Sequence, residues 1–275
     1  MGQFDRLLFV GTFTADQKRA KAFFTEKIGL SVRAEDPSQG YLELGANANG
    51  PDASLVPWQP VPGMGAGYEA AKKRIGEVTG IGFSTNDLEK TLEAWRRKGV
   101  KAEMEEEAEE GPFAHFEDPD GNTFFATGPR KPRDHKPGVT GLAFVTIVAK
   151  DTKRSAGFFT NALGMTGAPT ASGRFTEYRL AEEATAVMPF TPDPAMYDDA
   201  SEAAGDLAHL GEDTNIVFTS PDIQRAQAFL MSRGVRFKRK AEASKWGGWE
   251  AEFYDADDNI YWLSQPAPAK RPSSK

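Results

Sequence analysis

Three histidines and no cysteine limit the chemistry that this sequence can carry out. The lack of cysteine excludes disulfides, thiolate metal sites and cysteine nucleophiles. His135 lies in a basic, proline-rich stretch and His209 in an acidic stretch of small residues, so we expect both to be exposed or structural. His115 lies on a predicted strand, three residues before a turn. It is the candidate catalytic residue, acting as a general acid or base.

His115 has a counterpart in a second copy of its surroundings. Residues 112–127 read PFAHFEDPDGNTFFAT and residues 249–265 read WEAEFYDADDNIYWLSQ, which aligns Glu252 with His115. On the concave face of a sheet these side chains would bind a ligand or move a proton, whereas at a sheet edge they would only reach solvent. Both interpretations stay open. A buried Glu252 would need a polar partner, because burying a lone charge is costly.

Each of these stretches has a turn at its centre. Pro119 presets the first turn dihedral and Asp120-Gly121 tolerates positive φ, so the first turn is predicted to be a hairpin corner between two strands. The second corner, at residues 255–259, lies 137 residues further along the chain. Matching corners at this spacing indicate a duplicated unit.

Four copies of one local pattern would position these residues. In each copy an alternating strand leads to an aspartate that caps a helix, and a glycine ends the helix 12 or 13 residues later. Apolar residues of helical period lie between the two. Three strands follow the first helix, so each copy is predicted to be a β-α-β-β-β module. The capping aspartates are Asp16, Asp87, Asp151 and Asp222.

The repeat divides the chain into two halves, each predicted to be one domain. The first domain covers residues 1–130, with modules at about 4–58 and 78–129, and the second covers 139–266, with modules at about 139–192 and 213–265. Residues 131–138 are the predicted linker and residues 267–275 a disordered tail. Two equivalent proline-rich segments, 57–64 and 189–196, are predicted to cover or rim a cavity.

Composition restricts the partners. A net charge of −7 argues against a nucleic-acid surface, which usually needs a concentrated basic face. No apolar segment approaches membrane-spanning length, and the N-terminal residues do not have the pattern of a signal peptide. We therefore expect a soluble, cytoplasmic protein with no nucleic-acid or membrane partner.

The modules and corners resemble those of the vicinal oxygen chelate superfamily. The specific similarities are Phe-x-Asp-Pro-Asp-Gly-Asn at 116–122 and helices that end in Ile-Gly-Leu (28–30) or Leu-Gly-Met (163–165). This group includes glyoxalase I, bleomycin-resistance proteins, fosfomycin-resistance enzymes and extradiol dioxygenases. The resemblance implies an α+β fold, with four βαβββ modules paired into two tandem glyoxalase-like domains.

The resemblance also implies that the two modules of each half curl their sheets around one cup. Most of the enzymes hold a divalent metal there through His, Gln or Glu. Members often pair modules between chains, so a monomer and a homodimer both stay open.

The positions that would hold the metal carry unsuitable residues. The resemblance implies one metal ligand seven residues before each capping aspartate and another three residues after the asparagine of each hairpin corner. These positions are Phe9, Gly80, Phe144, Asn215, Phe125 and Trp262. Phe, Gly and Trp have no side-chain donor for a divalent metal, and one Asn is not a site. We therefore expect neither a metal nor another cofactor.

Aromatic residues are the positive signal for function. An apolar cup with few polar groups suits a flat, hydrophobic or aromatic small molecule. The predicted ligand-binding residues are Phe9, Phe13, Trp58, Phe125, Phe144, Asn215, Glu252 and Trp262, with Trp246 or Trp249 as further candidates. The competing interpretation is that these aromatics fill the core. In particular, Phe9 and Phe13 would face the first helix if Thr12 and Thr14 faced the cup.

Two functions follow from these residues. The first is metal-independent binding of a hydrophobic or aromatic small molecule, as in the bleomycin-resistance-type members, for example to sequester an antibiotic. The second is an enzyme of the same superfamily, of lyase, isomerase or dioxygenase-like type, with His115 as acid or base. Whether the protein is an enzyme stays open.

Overall fold

The computed structural model describes residues 4–64, 66–105, 110–132, 136–197 and 199–267. His135 lies outside these residues, and so does the predicted disordered tail except for Ala267.

Sixteen strands form in the described part of the chain, four in each module. The first module contains β1 (Arg6–Phe13), β2 (Ser31–Asp36), β3 (Tyr41–Gly45) and β4 (Ser54–Trp58). The second contains β5 (Val78–Thr85), β6 (Ala102–Met104), β7 (Phe113–Glu117) and β8 (Thr123–Thr127). The third contains β9 (Val139–Val148), β10 (Thr166–Pro169), β11 (Thr176–Arg179) and β12 (Ala186–Phe190). The fourth contains β13 (Asp213–Thr219), β14 (Phe237–Ala243), β15 (Trp249–Tyr254) and β16 (Ile260–Gln265).

One helix follows the first strand of each module, and a further helix lies in the segment that joins the two modules of each half. The helices are α1 (Gln17–Ala22), α2 (Ala66–Lys73), α3 (Leu88–Arg97), α4 (Thr152–Gly157), α5 (Ala200–Leu207) and α6 (Ile223–Ser232). Wider π-helical turns continue α1 and α4, and 3₁₀ turns precede α2 and α5; they are Phe23–Ile28, Phe158–Ala162, Pro62–Met64 and Pro194–Met196.

The four predicted caps are confirmed. Asp16 Oδ1 accepts a hydrogen bond from the Arg19 backbone N–H at 3.0 Å, and the other three aspartates accept equivalent bonds. Each helix is followed by a glycine with φ between 71° and 95°, a conformation that costs glycine little. The predicted α+β fold of four modules is therefore confirmed.

The modules pair differently from the expectation. One sheet has the order β14-β15-β16-β13-β1-β4-β3-β2, and the other has β10-β11-β12-β9-β5-β8-β7-β6. The first module thus shares a sheet with the fourth, and the second with the third. The expectation that the two modules of each half form one cup is wrong. Each cup forms between one module of the first half and one module of the second.

The packing between modules of one half explains this pairing. Phe24, beside the first helix, packs edge to face on Phe124 of β8, with ring centroids 5.4 Å apart. Trp95 of α3 donates its indole N–H to the carbonyl oxygen of Ile28 at 3.2 Å. Because these contacts bury the helical side of both modules against each other, the first-strand edges pair with the other half.

We call the concave face of the first and fourth modules the terminal cup, and that of the second and third modules the central cup. All strands of both cups come from one chain. Among the described residues, no helix is long and apolar enough to cross a membrane.

Candidate functional site

Strand β1 shows which of its faces lines the terminal cup. Phe9 and Phe13 line the cavity there. Thr14 is fully buried on the opposite side, where its hydroxyl donates to a carboxylate oxygen of Asp120 in the hairpin corner. The hydrogen bond makes a threonine acceptable against the helix, so the interpretation in which Phe9 and Phe13 face the helix is wrong.

The terminal cup encloses a cavity of about 1600 Å³. Three half-buried aromatic rings of the first module meet on one side of it. The ring centroids of Phe9 and Tyr41 are 6.3 Å apart, those of Phe9 and Trp58 are 6.2 Å apart, and those of Tyr41 and Trp58 are 5.8 Å apart. The planes are tilted by 48° to 68°, so the three side chains form an aromatic corner.

A buried carboxylate adjoins this aromatic corner. Glu43 lines the cavity with 9% of its surface exposed. It accepts hydrogen bonds from the hydroxyl groups of Tyr41 and Ser54, the latter at 2.8 Å. Burial, followed by the charge of Glu43, raises the pKa of Tyr41 far above its ordinary value, so the phenol stays protonated and donates.

The fourth module supplies the opposite wall. Trp262 donates its indole N–H to Asp213 Oδ2 at 2.8 Å, and the guanidinium of Arg239 lies 5.2 Å from its ring centroid. Burial is the main reason that the pKa of Asp213 is raised; the hydrogen bonds from Asn215 and Trp262 oppose the shift. A half-buried acid and an indole thus face the aromatic corner.

Asn215 lies on the floor of the terminal cup. It has φ 54° and corresponds in the repeat to Gly80, with φ 68°, at the same irregularity of the first strand. Gly11 leaves the space for its side chain, because a Cβ atom at Gly11 would lie 3.1 Å from both Asn215 and Trp58. Within the described part of the chain, the buried Nδ2 of Asn215 has no hydrogen-bond partner.

Glu252 is held by two cationic side chains. Its buried carboxylate is paired with Lys238 Nζ at 2.9 Å and with Arg239 Nε at 2.8 Å. Burial favours the neutral acid, but these hydrogen bonds outweigh it and lower the pKa of Glu252. The residues that line the cavity include Lys238 but not Glu252. Of the two further candidates, Trp246 lines the cavity and Trp249 does not.

The central cup holds a smaller cavity of about 1100 Å³. Phe113 stacks on Phe125 with centroids 5.3 Å apart, and on Phe144 with centroids 6.3 Å apart. Gly82 makes room for this stack, because a Cβ atom there would lie 2.2 Å from the Phe144 ring. Phe125 and Phe144 are therefore brought together, but in a different cup from Phe9, Phe13, Trp58, Asn215 and Trp262.

His115 belongs to the central cup. It pairs directly with Phe125 across the β7–β8 ladder, so both side chains are on the same face. Its Nδ1 lies within hydrogen-bond distance of Glu105, which lines the cavity, whereas His115 itself is set back from the lining. Phe9 is in the terminal cup, so His115 and Phe9 belong to different cups.

Several site residues escaped the sequence interpretation. Arg74, Glu77 and Asp213 line both cavities; the Arg74 guanidinium binds Glu77 and the carbonyl oxygen of Asp213, and it lies 5.4 Å from the Phe13 ring. Lys238 also lines the terminal cavity. The alternation on β3 places Tyr41 and Glu43 on one face and was the signal that could have identified both.

Each of the two proline-rich segments predicted to cover a cavity supplies one lining residue, Trp58 in the terminal cavity and Phe190 in the central one. Further along the same connections, Ala70 and Ala71 of α2 line the terminal cavity, and Tyr197 and Asp206 line the central one.

The metal positions do not fit a divalent ion. Phe9, Asn215 and Trp262 occupy them in the terminal cup, and the central cup has Gly80, Phe125 and Phe144. Trp262 already donates its only polar hydrogen to Asp213. In the described part of the chain, no three His, Cys, Asp or Glu side chains gather as a metal site would require.

Comparison with known proteins agrees with this architecture. A family model described as Glyoxalase/Bleomycin resistance protein/Dioxygenase superfamily matches residues 6–124 and again residues 141–263. The two matches confirm the tandem arrangement, while the predicted domain boundaries stay a prediction. The uncharacterized protein YetH of Bacillus subtilis (strain 168) is 32% identical over 123 residues, which are 42% of this chain and 91% of that protein.

Two solved structures match nearly the whole chain. Glyoxalase I from Zea mays has a TM-score of 0.63 at 18% identity, covering 94% of this chain and 92% of that one. A putative dioxygenase from Bacillus subtilis subsp. subtilis str. 168 has a TM-score of 0.62 at 12% identity, covering 98% and 87%. At these identities the similarity establishes the fold alone.

Proposed function

The chain belongs to the Glyoxalase/Bleomycin resistance protein/Dioxygenase superfamily, and from that premise we propose that it binds a hydrophobic or aromatic small molecule in the terminal cup, without a metal ion. The observation that carries this proposal is the aromatic lining of a large cavity from two opposite modules. Phe9, Tyr41 and Trp58 face Trp262 across a space of about 1600 Å³. Concave, mostly apolar pockets with a few fixed polar groups are typical ligand sites.

The same residues support independence from metal. Phe9 and Trp262 stand where the metal-binding members of the family have ligands, and their rings add apolar contact surface there instead. An aromatic ligand would gain about 0.5–1.5 kcal/mol per well-placed ring contact beyond the burial of its surface. Binding without turnover would suit the sequestration of an aromatic compound such as an antibiotic.

The cavity has polar groups that would orient such a ligand. Asp213 and Glu43 are fixed by hydrogen bonds on opposite walls, and the floor carries the amide of Asn215. All strands of the cup belong to one chain, so we propose that a single chain binds without a partner subunit.

Equilibrium dialysis with two flat dyes tests the proposal. The probes are thioflavin T, a benzothiazolium cation, and its uncharged analogue, which lacks the methyl group on the ring nitrogen. We expect at least one probe to bind wild type, and Trp58→Ala to weaken binding at least about tenfold, which corresponds to 1.4 kcal/mol.

Phe125→Ala is the matched control, because it removes one aromatic ring from the central cup. We expect it to leave the affinity of wild type nearly unchanged. Failure of both probes to bind would contradict the proposal, and so would a loss of binding caused by Phe125→Ala and not by Trp58→Ala.

One observation favours an enzyme as the second candidate. The carboxylate of Glu105, which lines the central cavity, would orient His115 through Nδ1, and Nε2 would exchange a proton with a substrate that reached past the lining to the imidazole. His115→Gln should then abolish conversion of a compound that the central cup binds while leaving its binding intact. Mass spectrometry of that compound after incubation with wild type and variant decides this.

A further inference from the structure

We propose that the ligand of the terminal cup is an aromatic cation, whose positive charge rests against Phe9, Tyr41 and Trp58 with Glu43 as its counter-ion. This inference rests on the proposed function and names the chemical class of its ligand. Three features of the cavity support this inference: the uncharged hydrogen-bond partners of the buried Glu43, the aromatic corner beside it, and the balance of charge on the walls.

Glu43 is a buried carboxylate with neutral partners. Its hydrogen-bond donors are the hydroxyl groups of Tyr41 and Ser54, and the described residues show no ion pair to it. Arg33 comes within 3.4 Å of the Ser54 hydroxyl, but its guanidinium is committed to Asp52 at 2.6 Å. Arg6 also lies near Tyr41, and it is exposed at the start of β1.

Such an arrangement is costly in the empty protein. An ionised carboxylate taken out of water loses hydration that two hydroxyl donors restore only in part. The deficit is removed when a positive charge arrives at the carboxylate. Glu43 is therefore better explained as half of an ion pair whose other half is the ligand.

The aromatic corner favours the same charge. The faces of aromatic rings attract cations through their quadrupole, by about 0.5–2 kcal/mol per ring depending on desolvation. Phe9, Tyr41 and Trp58 are in ring contact with one another and all line the cavity, and the Tyr41 hydroxyl donates to Glu43. An ammonium or ring-nitrogen cation there would contact several rings together.

The cavity walls as a whole are acidic. Seven carboxylate side chains line the terminal cavity, against three cationic ones, Lys73, Arg74 and Lys238. A low-dielectric cleft lined by one sign of charge concentrates ligands of the opposite sign. An anionic ligand would meet repulsion from the walls, and a neutral one would leave Glu43 without its ion pair.

The dye pair isolates the charge because the two molecules share their ring system. In equilibrium dialysis with wild type, we expect thioflavin T to bind at least about tenfold more tightly than its uncharged analogue. Glu43→Gln keeps the shape and an acceptor oxygen but removes the charge. We expect this substitution to weaken the binding of thioflavin T at least about tenfold and to leave the affinity for the uncharged analogue nearly unchanged.

Glu89→Gln is the matched control, because it removes one carboxylate from the exposed surface of α3 and should not alter the ratio of the two affinities. A melting curve checks that Glu43→Gln is folded. If it is not, Trp58→Leu gives the second readout. It keeps apolar bulk and loses the ring, so thioflavin T should lose more affinity than the uncharged analogue.

The outcomes separate the two proposals. If the uncharged dye binds wild type as tightly as thioflavin T and Trp58→Ala weakens it, the inference fails while the proposed function stands. An unchanged affinity ratio in folded Glu43→Gln also overturns the inference. If neither dye binds, the proposed function fails and the inference with it.

Discussion

The side chain of Asn122 donates a hydrogen bond to the carbonyl oxygen of Phe13 at 2.9 Å, and so joins the corner of the second module to the first strand of the first module. Its Oδ1 accepts from the Gly76 backbone N–H at 2.7 Å. Asn259 makes the equivalent bonds in the other half. Its side chain donates to the carbonyl oxygen of Val148 and accepts from the backbone N–H of Gly211. Because Phe13 lines the terminal cup, a corner that contributes no strand to that cup still positions its wall.

Asn122→Ala should therefore destabilise the protein. The substitution leaves the Phe13 carbonyl without its partner in a buried place, which costs about 1–3 kcal/mol, whereas water can replace the partner of the Gly76 N–H because Gly76 is exposed. We expect a fall of about 1–3 kcal/mol in the free energy of unfolding, measured by urea denaturation. The control Asn49→Ala, in an exposed turn, should change it by less than about 0.5 kcal/mol. An equal effect of both variants would contradict the role of Asn122.

Gly82→Ala should disturb the central cup through Phe144. The new Cβ atom would lie 2.2 Å from the Phe144 ring, so the ring must move or the strands must separate. Overpacking of this kind costs about 1–3 kcal/mol. Combining Gly82→Ala with Phe144→Ala should cost less than the sum of the two single changes, as measured in a double-mutant cycle by urea denaturation.

Gly205→Ala is the control for that cycle, because a Cβ atom on this residue of α5 would have no neighbour within 4 Å. It should stabilise the protein slightly, through the higher helix propensity of alanine. Additive effects of Gly82→Ala and Phe144→Ala would show that the two residues do not share the space.

Glu110 should make stability depend on pH. Burial raises the pKa of its carboxyl, but hydrogen bonds from Ser172 and Thr170 outweigh burial, so the pKa in the folded protein is lowered. A lowered folded pKa stabilises the protein above the unfolded value and loses that effect as the pH falls through the folded value. The bonds connect the second and third modules at the central cup.

Melting curves of wild type and Glu110→Gln should therefore differ at pH 7 and converge at about pH 3. The difference at pH 7 should favour wild type. Glu89→Gln, on the exposed surface of α3, should melt like wild type at both values. A difference between wild type and Glu110→Gln that grows towards low pH would have the wrong sign.

Elemental analysis of protein purified without chelator should find metal well below one ion per chain. The reason is the donor set, since Phe9, Asn215 and Trp262 in one cup and Gly80, Phe125 and Phe144 in the other supply no carboxylate or imidazole. EDTA, or an excess of zinc or manganese, should leave the melting temperature unchanged. One tightly bound ion per chain would overturn the assignment of the metal positions. Native mass spectrometry of the same sample would also reveal an aromatic ligand retained during purification.

Much of the local structure was accessible from sequence. The capping aspartates, the terminating glycines and the two hairpin corners depend on interactions within a few residues, and all of them form as predicted. The roles of Glu252 and Lys238 were harder to predict from the sequence. They form an ion pair across two strands, and the basic run 238–240 would have the same sequence whether its side chains were solvated or paired.

The four modules could be predicted from the residues alone, because strand alternation, helix period and turn chemistry are local. So could the lack of donors at the metal positions, since this depends on residue type alone. Which modules share a cup depends on packing between segments that are far apart in the chain. All four first strands present the same backbone donors and acceptors, so their partners are selected by the side chains that pack on the helical faces, such as Phe24 on Phe124. That packing turns Phe9 towards Trp262 and away from His115, and so decides which residues can act together on a ligand.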